Sequence, residues 1–514
     1  MSRTSIRTTI YPLPGIELQG EYKIADHINL SGKGIRETGF VPITDLYADK
    51  HNPEAIIVAC LKPLTKPTKE EAELLKNNGV KAYCYELIEP ALYAAANGKT
   101  VEAVGYIPKL PKGYSLNGIS SGIKITGRKD IGIIHSDSAC LWAGVFTKNL
   151  VKAACVINNQ EKMGKKIQNI FVNSGNANAC TGEQGDKDDK EIAKLVSEKL
   201  SGETLTASTG KIGVNLNMSV IEKGIAVIAS SHALLATGSQ KQSPNESLTD
   251  FAEAILTTDL RIKISQDSKG HILGFTKGSG MIHPNMATML GFMISDVKIQ
   301  GLNEADTQKF LQESLQEITE ESFNSISVDG DTSTNDMVIF MSNLQGKEIS
   351  KEEFKASLEE VSTDLAKQII NDGEGTTKII ECVVSGSHSK DDLRKIAKGI
   401  IGSNLVKSAI FGNDPNWGRI IAAAGQAAGE HNIDLDPNSC SLTLLNQEVY
   451  KNGVPVNQEK RDEFSRLMKK NKVIKLKLVI ATLNEVKGKQ SNSVIVWGSD
   501  LSYDYVRINA EYFT

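Results

Sequence analysis

The sequence predicts a mixed α/β protein, in which strands and helices alternate along most of the chain. Residues 167–173 have the apolar character of a buried strand, and 186–200 have the periodicity of an amphipathic helix. Another strand begins at residue 205. The chain has 514 residues, more than one hydrophobic core usually organises, so we expect more than one domain.

The composition is typical of a soluble protein in a reducing compartment. Hydrophobic residues make up 40% and charged residues 23%, with a formal net charge of −4. This balance gives no electrostatic footprint for nucleic acid or an anionic membrane. The seven cysteines are scattered and form no C-x-x-C pair, which predicts neither a disulfide framework nor a zinc site. With no secretory signal and no apolar run of about 20 residues, we expect a cytoplasmic protein.

Residues 1–105 predict a small α/β domain of their own. Residues 55–60 and 80–85 have strand composition, and a helix is predicted at 68–79 from its capping-box spacing and terminal glycine. This β-α-β pattern indicates an accessory domain, and the sequence leaves its role open.

The segments beyond residue 105 predict strands that end in small and polar residues. Alternating apolar residues predict strands at 122–126 and 131–135. The strand that begins at residue 205 runs into Thr209 and Gly210. A hydroxyl group and a flexible glycine at a strand end are suited to present donors to an oxyanion, although Ser-Thr-Gly turns are also common in ordinary loops.

The stretch 277–290 has the most distinctive composition in the chain. It begins with two glycines, and Pro284 restricts both its own φ and the conformation of the preceding residue. Thr288 follows Ala287 and stands directly before the apolar residues 289–294, which predict a buried strand. A constrained loop thus delivers a threonine hydroxyl to a rigid strand, a suitable place for a nucleophile. The same residues also fit an ordinary loop end, and alone they favour that interpretation.

Polar side chains stand at several later strand boundaries. Asp329, Asp331 and Asp336 lie in an acidic loop, but the late glutamate of a calcium loop is absent, which favours a hydrogen-bonded loop over a metal site. Glu374 stands between two glycines in a predicted turn. The residues from 494 onwards alternate like a strand.

These segments, taken in this order, resemble the ornithine acetyltransferase family, the bifunctional glutamate N-acetyltransferases of arginine biosynthesis. The resemblance runs from about residue 108 to the end of the sequence, and its segments are 175–182, 206–213, 277–290, 327–336, 371–378, 414–419 and 509–514. It implies a self-processing Ntn-like, DmpA-type sandwich of sheets and helices. It also implies self-cleavage between Ala287 and Thr288, which separates an α chain (106–287, preceded by the accessory domain) from a β chain (288–514).

The resemblance implies acetyl transfer from N2-acetylornithine to L-glutamate through an acetyl-Thr288 intermediate. A threonine hydroxyl activated by its own freed amine is an established class of nucleophile. Thr209 and Gly210 match the family's oxyanion hole. The other matches are substrate contacts, namely Lys277, Thr288, Glu374, Asn509, Thr514 and one of Thr257 and Thr258, between which the motif does not choose.

The resemblance implies small-molecule substrates, no metal and no cofactor, and an assembly of two α and two β chains. Acetyl-CoA is a hypothetical second acetyl donor, for which the sequence identifies no pocket. One alternative is an amidohydrolase or aminopeptidase of the same self-processing fold, with water as the acceptor. Another is a non-enzymatic binding protein descended from the family, which the retained site residues argue against.

Overall fold

Helices and strands alternate in the computed structural model, which describes residues 11–12, 28–29, 44–46, 82–83, 108–236, 244–283, 289–480 and 491–511. The strands are β1 (Tyr11–Pro12), β2 (Ile28–Asn29), β3 (Thr44–Leu46), β4 (Ala82–Tyr83), β5 (Tyr114–Ile119), β6 (Ile131–Phe146), β7 (Ile167–Asn176), β8 (Thr204–Lys211), β9 (Lys263–Gln266), β10 (Ile272–Lys277), β11 (Leu290–Ser295), β12 (Lys298–Ile299), β13 (Ile326–Ser327), β14 (Met337–Ser342), β15 (Glu348–Ile349), β16 (Ile379–Gly386), β17 (Cys440–Leu444), β18 (Gln447–Lys451), β19 (Val454–Pro455), β20 (Val473–Ile480) and β21 (Asn492–Ser499). The α-helices are α1 (Ala154–Gln160), α2 (Gly182–Leu200), α3 (Met218–Ala236), α4 (Pro244–Ala254), α5 (Glu304–Glu321), α6 (Lys351–Asn371), α7 (Lys390–Gly402), α8 (Asn404–Phe411), α9 (Trp417–Glu430), α10 (Arg461–Lys470) and α11 (Tyr503–Ala510).

The chain divides into two compact units. The first comprises Met1–Leu110, Ser243–Glu246 and Leu260–Ser265, and the second comprises Pro111–Gln242, Ser247–Asp259 and Gln266–Thr514. In the first unit, β1 pairs with β4 and β2 with β3, both antiparallel. Of the predicted β-α-β segment, β4 is described, whereas the predicted helix at 68–79 and strand at 55–60 lie outside the described residues.

Two large sheets form the framework of the second unit. In the first sheet the strands of this unit follow the order β8-β7-β6-β14-β11-β10, with β5 paired to β6. The pairs β7–β8 and β11–β14 are parallel, so the two strands of each pair end on the same side of the sheet. The second sheet has the order β13-β21-β16-β20-β17-β18-β19.

Helices cover these sheets in layers. Helices α2 and α3 pack on one face of the first sheet, against Ile133 and Phe171. Helices α5 and α6 share one core with strands of both sheets, from Phe340 of β14 to Trp497 of β21. Helices α7 and α9 pack with β16 and β20 in a further core. The predicted mixed α/β class and layered sandwich are confirmed.

Local sequence explains where the long helices begin. The side chains of Asn303, Ser350 and Ser389 accept hydrogen bonds from the backbone N–H groups three residues farther on, so each caps its helix. Acidic residues follow in the first turn of all three helices, where the helix dipole favours negative charge. No helix in the described part of the chain is long and apolar enough to cross a membrane.

One predicted strand is wrong, and another ends earlier than predicted. Residues 122–126 form bends and turns, because the Asp130 carboxylate accepts the N–H groups of Ser121, Gly122 and Lys124 that a strand would pair. In the C-terminal segment β21 is a strand as predicted, but Ser502 then caps helix α11 instead of extending an edge strand.

Candidate active site

The ends of two parallel strands form the centre of the site. In β7 and β8, Ser174 pairs with Thr209 and Gly175 with Gly210, with an irregularity directly beyond. Gly210 has a φ of +132°, a conformation that residues with side chains rarely adopt. A Cβ atom at Gly210 would lie 2.3 Å from the carbonyl carbon of Gly175. Only glycine fits at this close approach of the two backbones.

Lys277 brings a positive charge to this strand end from β10. Its side chain is 9% exposed, and its Nζ donates to Thr209 Oγ1 at 3.2 Å. An ammonium group can only donate, so the Thr209 hydroxyl accepts this bond and keeps its own hydrogen for another acceptor. Lys277 thereby polarises a hydroxyl that is ready to donate to an anionic oxygen.

Asp259 and its neighbours fix the loop that follows β10. The Asp259 carboxylate is buried and accepts from the N–H groups of Gly278, at 2.6 Å, and Thr257, at 3.1 Å. Thr258 Oγ1 and Ser279 Oγ share a hydrogen bond of 2.8 Å. The two candidate threonines therefore differ, because the hydroxyl of Thr258 faces the loop whereas Thr257 bonds Asp259 through its backbone.

The acidic loop holds the same segment farther along. The two Asp329 oxygens accept from the N–H groups of Met281, at 2.6 Å, and Ile282, at 2.8 Å. Met281 has a φ of +56°, which turns two successive N–H groups towards one carboxylate. The Val328 N–H donates to the Ile282 carbonyl at 2.6 Å. The prediction of a hydrogen-bonded loop is therefore confirmed at Asp329.

Glu374 and Asn509 meet beside this loop. The Glu374 N–H donates to the Ser279 carbonyl at 2.9 Å, and Asn509 Nδ2 donates to Glu374 Oε2 at 2.9 Å. A Cβ atom at Gly280 would lie 2.3 Å from the Glu374 carboxylate, so a glycine here lets that carboxylate approach the backbone. Helix α11 thus places Asn509 against Glu374, so two of the predicted substrate contacts are hydrogen-bonded to each other.

Burial depresses the pKa of two basic groups around the site. Burial lowers the pKa of Lys124 to about 8, and the charge of Lys277 acts in the same direction. Burial also lowers the pKa of His283 to about 4, and its Nδ1 shares a 2.9 Å hydrogen bond with Ser327 Oγ. His283 is therefore uncharged at neutral pH.

Asp336 is a site candidate that the sequence analysis placed only in an acidic loop. It is 2% exposed, and its Oδ2 has no hydrogen-bond partner among the described residues. Burial raises the pKa of Asp336 well above its ordinary value, while the charge of Lys277 and the N–H of Met289 oppose this rise. Met289 directly follows Thr288 in the sequence. The available signal was an acid placed immediately before the wholly apolar start of β14.

The structure brings most of the predicted site residues together. Those joined by the strand ends and the loop after β10 are Thr209, Gly210, Thr257, Thr258, Lys277, Glu374 and Asn509. Asp259, which sequence reasoning did not single out, directly follows the two candidate threonines. Ala287, Thr288 and Thr514 lie outside the described residues, so their roles stay predictions.

A hydroxyl and a glycine N–H at one strand end can together hold an oxyanion, with a buried cation strengthening the hydroxyl. This arrangement defines the chain as an acyl-transfer type of α/β enzyme. The ArgJ family profile matches residues 115–514. The chain belongs to the ArgJ family, and the predicted membership in the ornithine acetyltransferase family is confirmed.

The curated relatives are similar across almost their whole length. The arginine biosynthesis bifunctional protein ArgJ of Bacillus licheniformis is 43% identical over 422 residues, which cover 79% of this chain and 96% of the relative. The arginine biosynthesis bifunctional protein ArgJ 1 of Nostoc sp. is 40% identical, and the match covers 79% of this chain and 97% of the relative. The chain is therefore an enzyme of arginine biosynthesis.

Two solved structures also match parts of the chain. The ArgJ structure from Bacillus halodurans is 34% identical with a TM-score of 0.37, covering 43% of this chain and 98% of that one. The ornithine acetyltransferase from Mycobacterium tuberculosis, solved in complex with ornithine, is 29% identical with a TM-score of 0.30, covering 34% and 94%.

Proposed function

We propose that the chain transfers an acetyl group from N2-acetylornithine to L-glutamate through an acetyl-Thr288 intermediate. The 3.2 Å hydrogen bond from Lys277 Nζ to Thr209 Oγ1 is the observation that carries the proposal. It orients the Thr209 hydroxyl as a donor beside Gly210, where an acyl-transfer oxyanion needs one. The names of the curated relatives agree with this reaction.

Self-cleavage comes first in this proposal. The Thr288 hydroxyl attacks the Ala287 carbonyl, the peptide C–N bond breaks as an ester C–O bond forms, and the threonine nitrogen takes up a proton. Water then hydrolyses the ester and leaves Thr288 as the first residue of the β chain. The freed α-amino group, with an ordinary pKa of about 7.7–8.0, acts as the base for the hydroxyl. The hydrogen bonds from the Met281 and Ile282 N–H groups to the Asp329 carboxylate support this step, because they fix the path of the loop that precedes the cleavage site.

Acetyl transfer then proceeds in two displacements. Thr288 Oγ attacks the acetyl carbonyl, and the oxyanion accepts hydrogen bonds from the Thr209 hydroxyl and the Gly210 N–H. The C–N bond to ornithine breaks, and ornithine leaves with the proton. The glutamate amine next attacks the acetyl ester, which restores the threonine hydroxyl. One oxyanion donor contributes about 2.7–4 kcal/mol to the transition state.

The remaining predicted contacts receive roles in substrate binding. Glu374 Oε2 accepts from Asn509, while Oε1 accepts no hydrogen bond from any described residue, which leaves Oε1 for an ornithine ammonium group. Lys277 suits a substrate carboxylate. We assign the threonine contact to Thr258, because its hydroxyl faces the loop after β10. Thr514 keeps its proposed contact from the family resemblance.

The family resemblance also supports an assembly of two α and two β chains in the cytoplasm. The relatives are named bifunctional, which favours a second activity, and the family resemblance suggests acetyl-CoA as a second acetyl donor to glutamate. The test of this point is N-acetylglutamate formation from acetyl-CoA, and no product above background would exclude it.

Intact mass spectrometry with and without N2-acetylornithine tests the proposed reaction. We expect two chains that meet at Ala287 and Thr288, and the mass of one acetyl group added to the β chain after substrate is supplied. Thr288→Ala is the matched control and is expected to stay uncleaved and unacetylated. Uncleaved wild-type chain after prolonged incubation would overturn the proposal.

Ornithine release separates the transferase from the hydrolase alternative. A transferase releases ornithine rapidly only when glutamate is present to clear the acetyl-enzyme. Equal steady-state rates with and without glutamate would assign water as the acceptor and support the amidohydrolase.

A further inference from the structure

Two histidines and an aspartate form a cluster in the first sheet away from the oxyanion donors. His135 and Asp137 come from β6, and His232 comes from helix α3. One potential ligand atom from each residue lies within 4.8 Å of the other two. The two imidazole rings meet edge to face, with centroids 4.6 Å apart and an interplanar angle of 77°. His135 is buried, His232 is half-buried and Asp137 is exposed.

Asn169 fixes the tautomer of His135. Its Nδ2 donates to the Ser201 and Gly202 carbonyls at 2.8 and 3.2 Å and to Thr204 Oγ1 at 3.2 Å. These acceptors orient the amide so that Oδ1 faces His135 Nδ1 at 2.7 Å. An amide oxygen only accepts, so Nδ1 carries the hydrogen and the Nε2 of neutral His135 carries the lone pair. This second hydrogen bond is the support that metal-binding histidines usually have.

The other two residues are free to adjust. The β6–β7 register breaks between His135 and Cys140, and Asp137 lies within this irregularity. Bulges of this kind re-aim side chains. Neither Asp137 nor His232 makes a side-chain hydrogen bond to any described residue.

We propose that His135, Asp137 and His232 bind a zinc ion. Two imidazole nitrogens and one carboxylate oxygen are ligands that zinc accepts in tetrahedral sites, and water completes the fourth position. Ligand atoms at zinc distances lie about 3.3 Å apart, so the cluster closes slightly on binding. His232 and Asp137 supply that movement, while His135 stays fixed by Asn169.

The zinc site is separate from acetyl transfer. His135 pairs with Asn169, and Asn169 pairs with Thr204 at the start of β8. Thr209 lies five residues farther along that strand, about 17 Å away at the usual rise of a strand. The ion therefore joins α3 to β6 and stabilises the first sheet without contacting substrate.

Metal content and thermal stability together test the site. Full-length protein is stripped with a chelator, supplied with an equimolar amount of Zn²⁺ and freed of unbound metal by gel filtration. We expect about one zinc per chain in the wild type and in His431→Ala, whose histidine is exposed, and almost none in His232→Ala. Zinc should raise the thermal midpoint of the first two proteins only. Mg²⁺ should raise none, because it prefers oxygen ligands.

A spectroscopic measurement distinguishes this site from adventitious binding. Co²⁺ in place of zinc should give the visible absorption of a low-coordinate site, which Asp137→Asn should weaken together with a loss of affinity of at least about tenfold. Equal zinc retention in His232→Ala and His431→Ala, or no retention in the wild type, would overturn the proposal. Acetyl transfer measured on the same samples should be similar, so a failed zinc site leaves the proposed reaction untouched.

Discussion

The two large sheets distribute their polar residues in opposite ways. In the first sheet, β10, β11 and β14 are buried at every residue. In the second sheet, β20 alternates, and Lys475 and Lys477 are exposed. A sheet covered on both faces has no solvated face for polar groups, so those groups gather at its strand ends. Lys277 and Asp336 stand at such ends, which explains why the chemistry lies there.

Both regions contain a buried ionisable side chain, but they satisfy its hydrogen bonds differently. In the second sheet, Lys407 of α8 donates to the carbonyls of Val328 and Ser499 and to Ser499 Oγ. In the first sheet, Asp336 keeps one oxygen without a partner among the described residues. A buried polar group without a hydrogen bond costs folding free energy. The first region therefore retains an incompletely hydrogen-bonded carboxyl group near the reaction, whereas the second uses its lysine to join elements.

The largest expected effect is at Gly210. In Gly210→Ala the new Cβ meets the Gly175 backbone and the φ of +132° becomes strained, so β8 must shift and the oxyanion donor moves. We expect acetyl transfer to fall about 100- to 1000-fold in kcat/KM. Steady-state kinetics on the cleaved enzyme is the measurement.

Gly425→Ala is the matched control, because its Cβ meets nothing within 4 Å on helix α9. That variant should keep full activity and gain up to about 1 kcal/mol of stability. Thr209→Val removes the hydroxyl without the backbone strain, in case Gly210→Ala does not fold. Wild-type rates in both Gly210→Ala and Thr209→Val would show that this strand end holds no oxyanion.

The sequence predicted several buried strands of the first sheet correctly. The strand that it predicted wrongly failed because of a local hydrogen-bonding interaction. The strands at 131–135 and 167–173 were correct because their apolar patterns reflect burial. The predicted strand at 122–126 failed because Asp130 captured its backbone donors, and no periodicity reports such a bond. Ile125 contributed to the apolar alternation that predicted a strand here, but its side chain is exposed to solvent.

For the site, sequence motifs indicated residues but not their partners. Thr209 and Lys277 lie 68 residues apart in the sequence and on strands that are not neighbours in the first sheet, yet their side chains are in contact. Asp336 was missed as a site residue because its neighbour Met289, directly before β11, belongs to a distant part of the sequence. Interactions between distant segments are what a single sequence shows least.

A smaller effect is expected from Asp336→Asn, which keeps the shape of the side chain but cannot ionise or carry the carboxyl proton. The folded-state pKa of Asp336 is raised above its ordinary value, so the folded state holds a proton where the unfolded state has lost it. The stability of the wild type therefore falls as the pH rises from the ordinary pKa of an aspartate towards the raised pKa of folded Asp336. The variant, which cannot ionise, lacks this fall. We expect a higher thermal midpoint at mildly alkaline pH but at least about a tenfold loss of kcat/KM.

Asp331→Asn provides the comparison for this variant, because Asp331 lies in the same loop and is exposed. It should change neither the midpoint nor the rate appreciably. A stable Asp336→Asn enzyme with full activity would assign Asp336 to architecture and remove the contrast between the two sheets.

The smallest expected effect is a change in pH dependence at Lys407. Burial lowers the pKa of Lys407 to about 8, whereas an unfolded lysine has a pKa of about 10.4. Between these values the folded state has released a proton that the unfolded state still holds, so stability rises with pH, by at most roughly 1.4 kcal/mol per unit. Lys407→Gln keeps an N–H donor for the Val328 and Ser499 carbonyls but removes the charge, and it should flatten this rise.

Thermal midpoints measured from neutral to alkaline pH test this expectation, with Lys477→Gln as the exposed control on β20. Other buried lysines contribute equally to all three proteins and cancel in the difference. If the midpoint curves of the wild type and both variants run parallel, the Lys407 charge does not change on folding. The pKa of Lys407 would then be the same in the folded and unfolded states, and of the two buried groups compared only Asp336 in the first region would have a pKa that folding shifts.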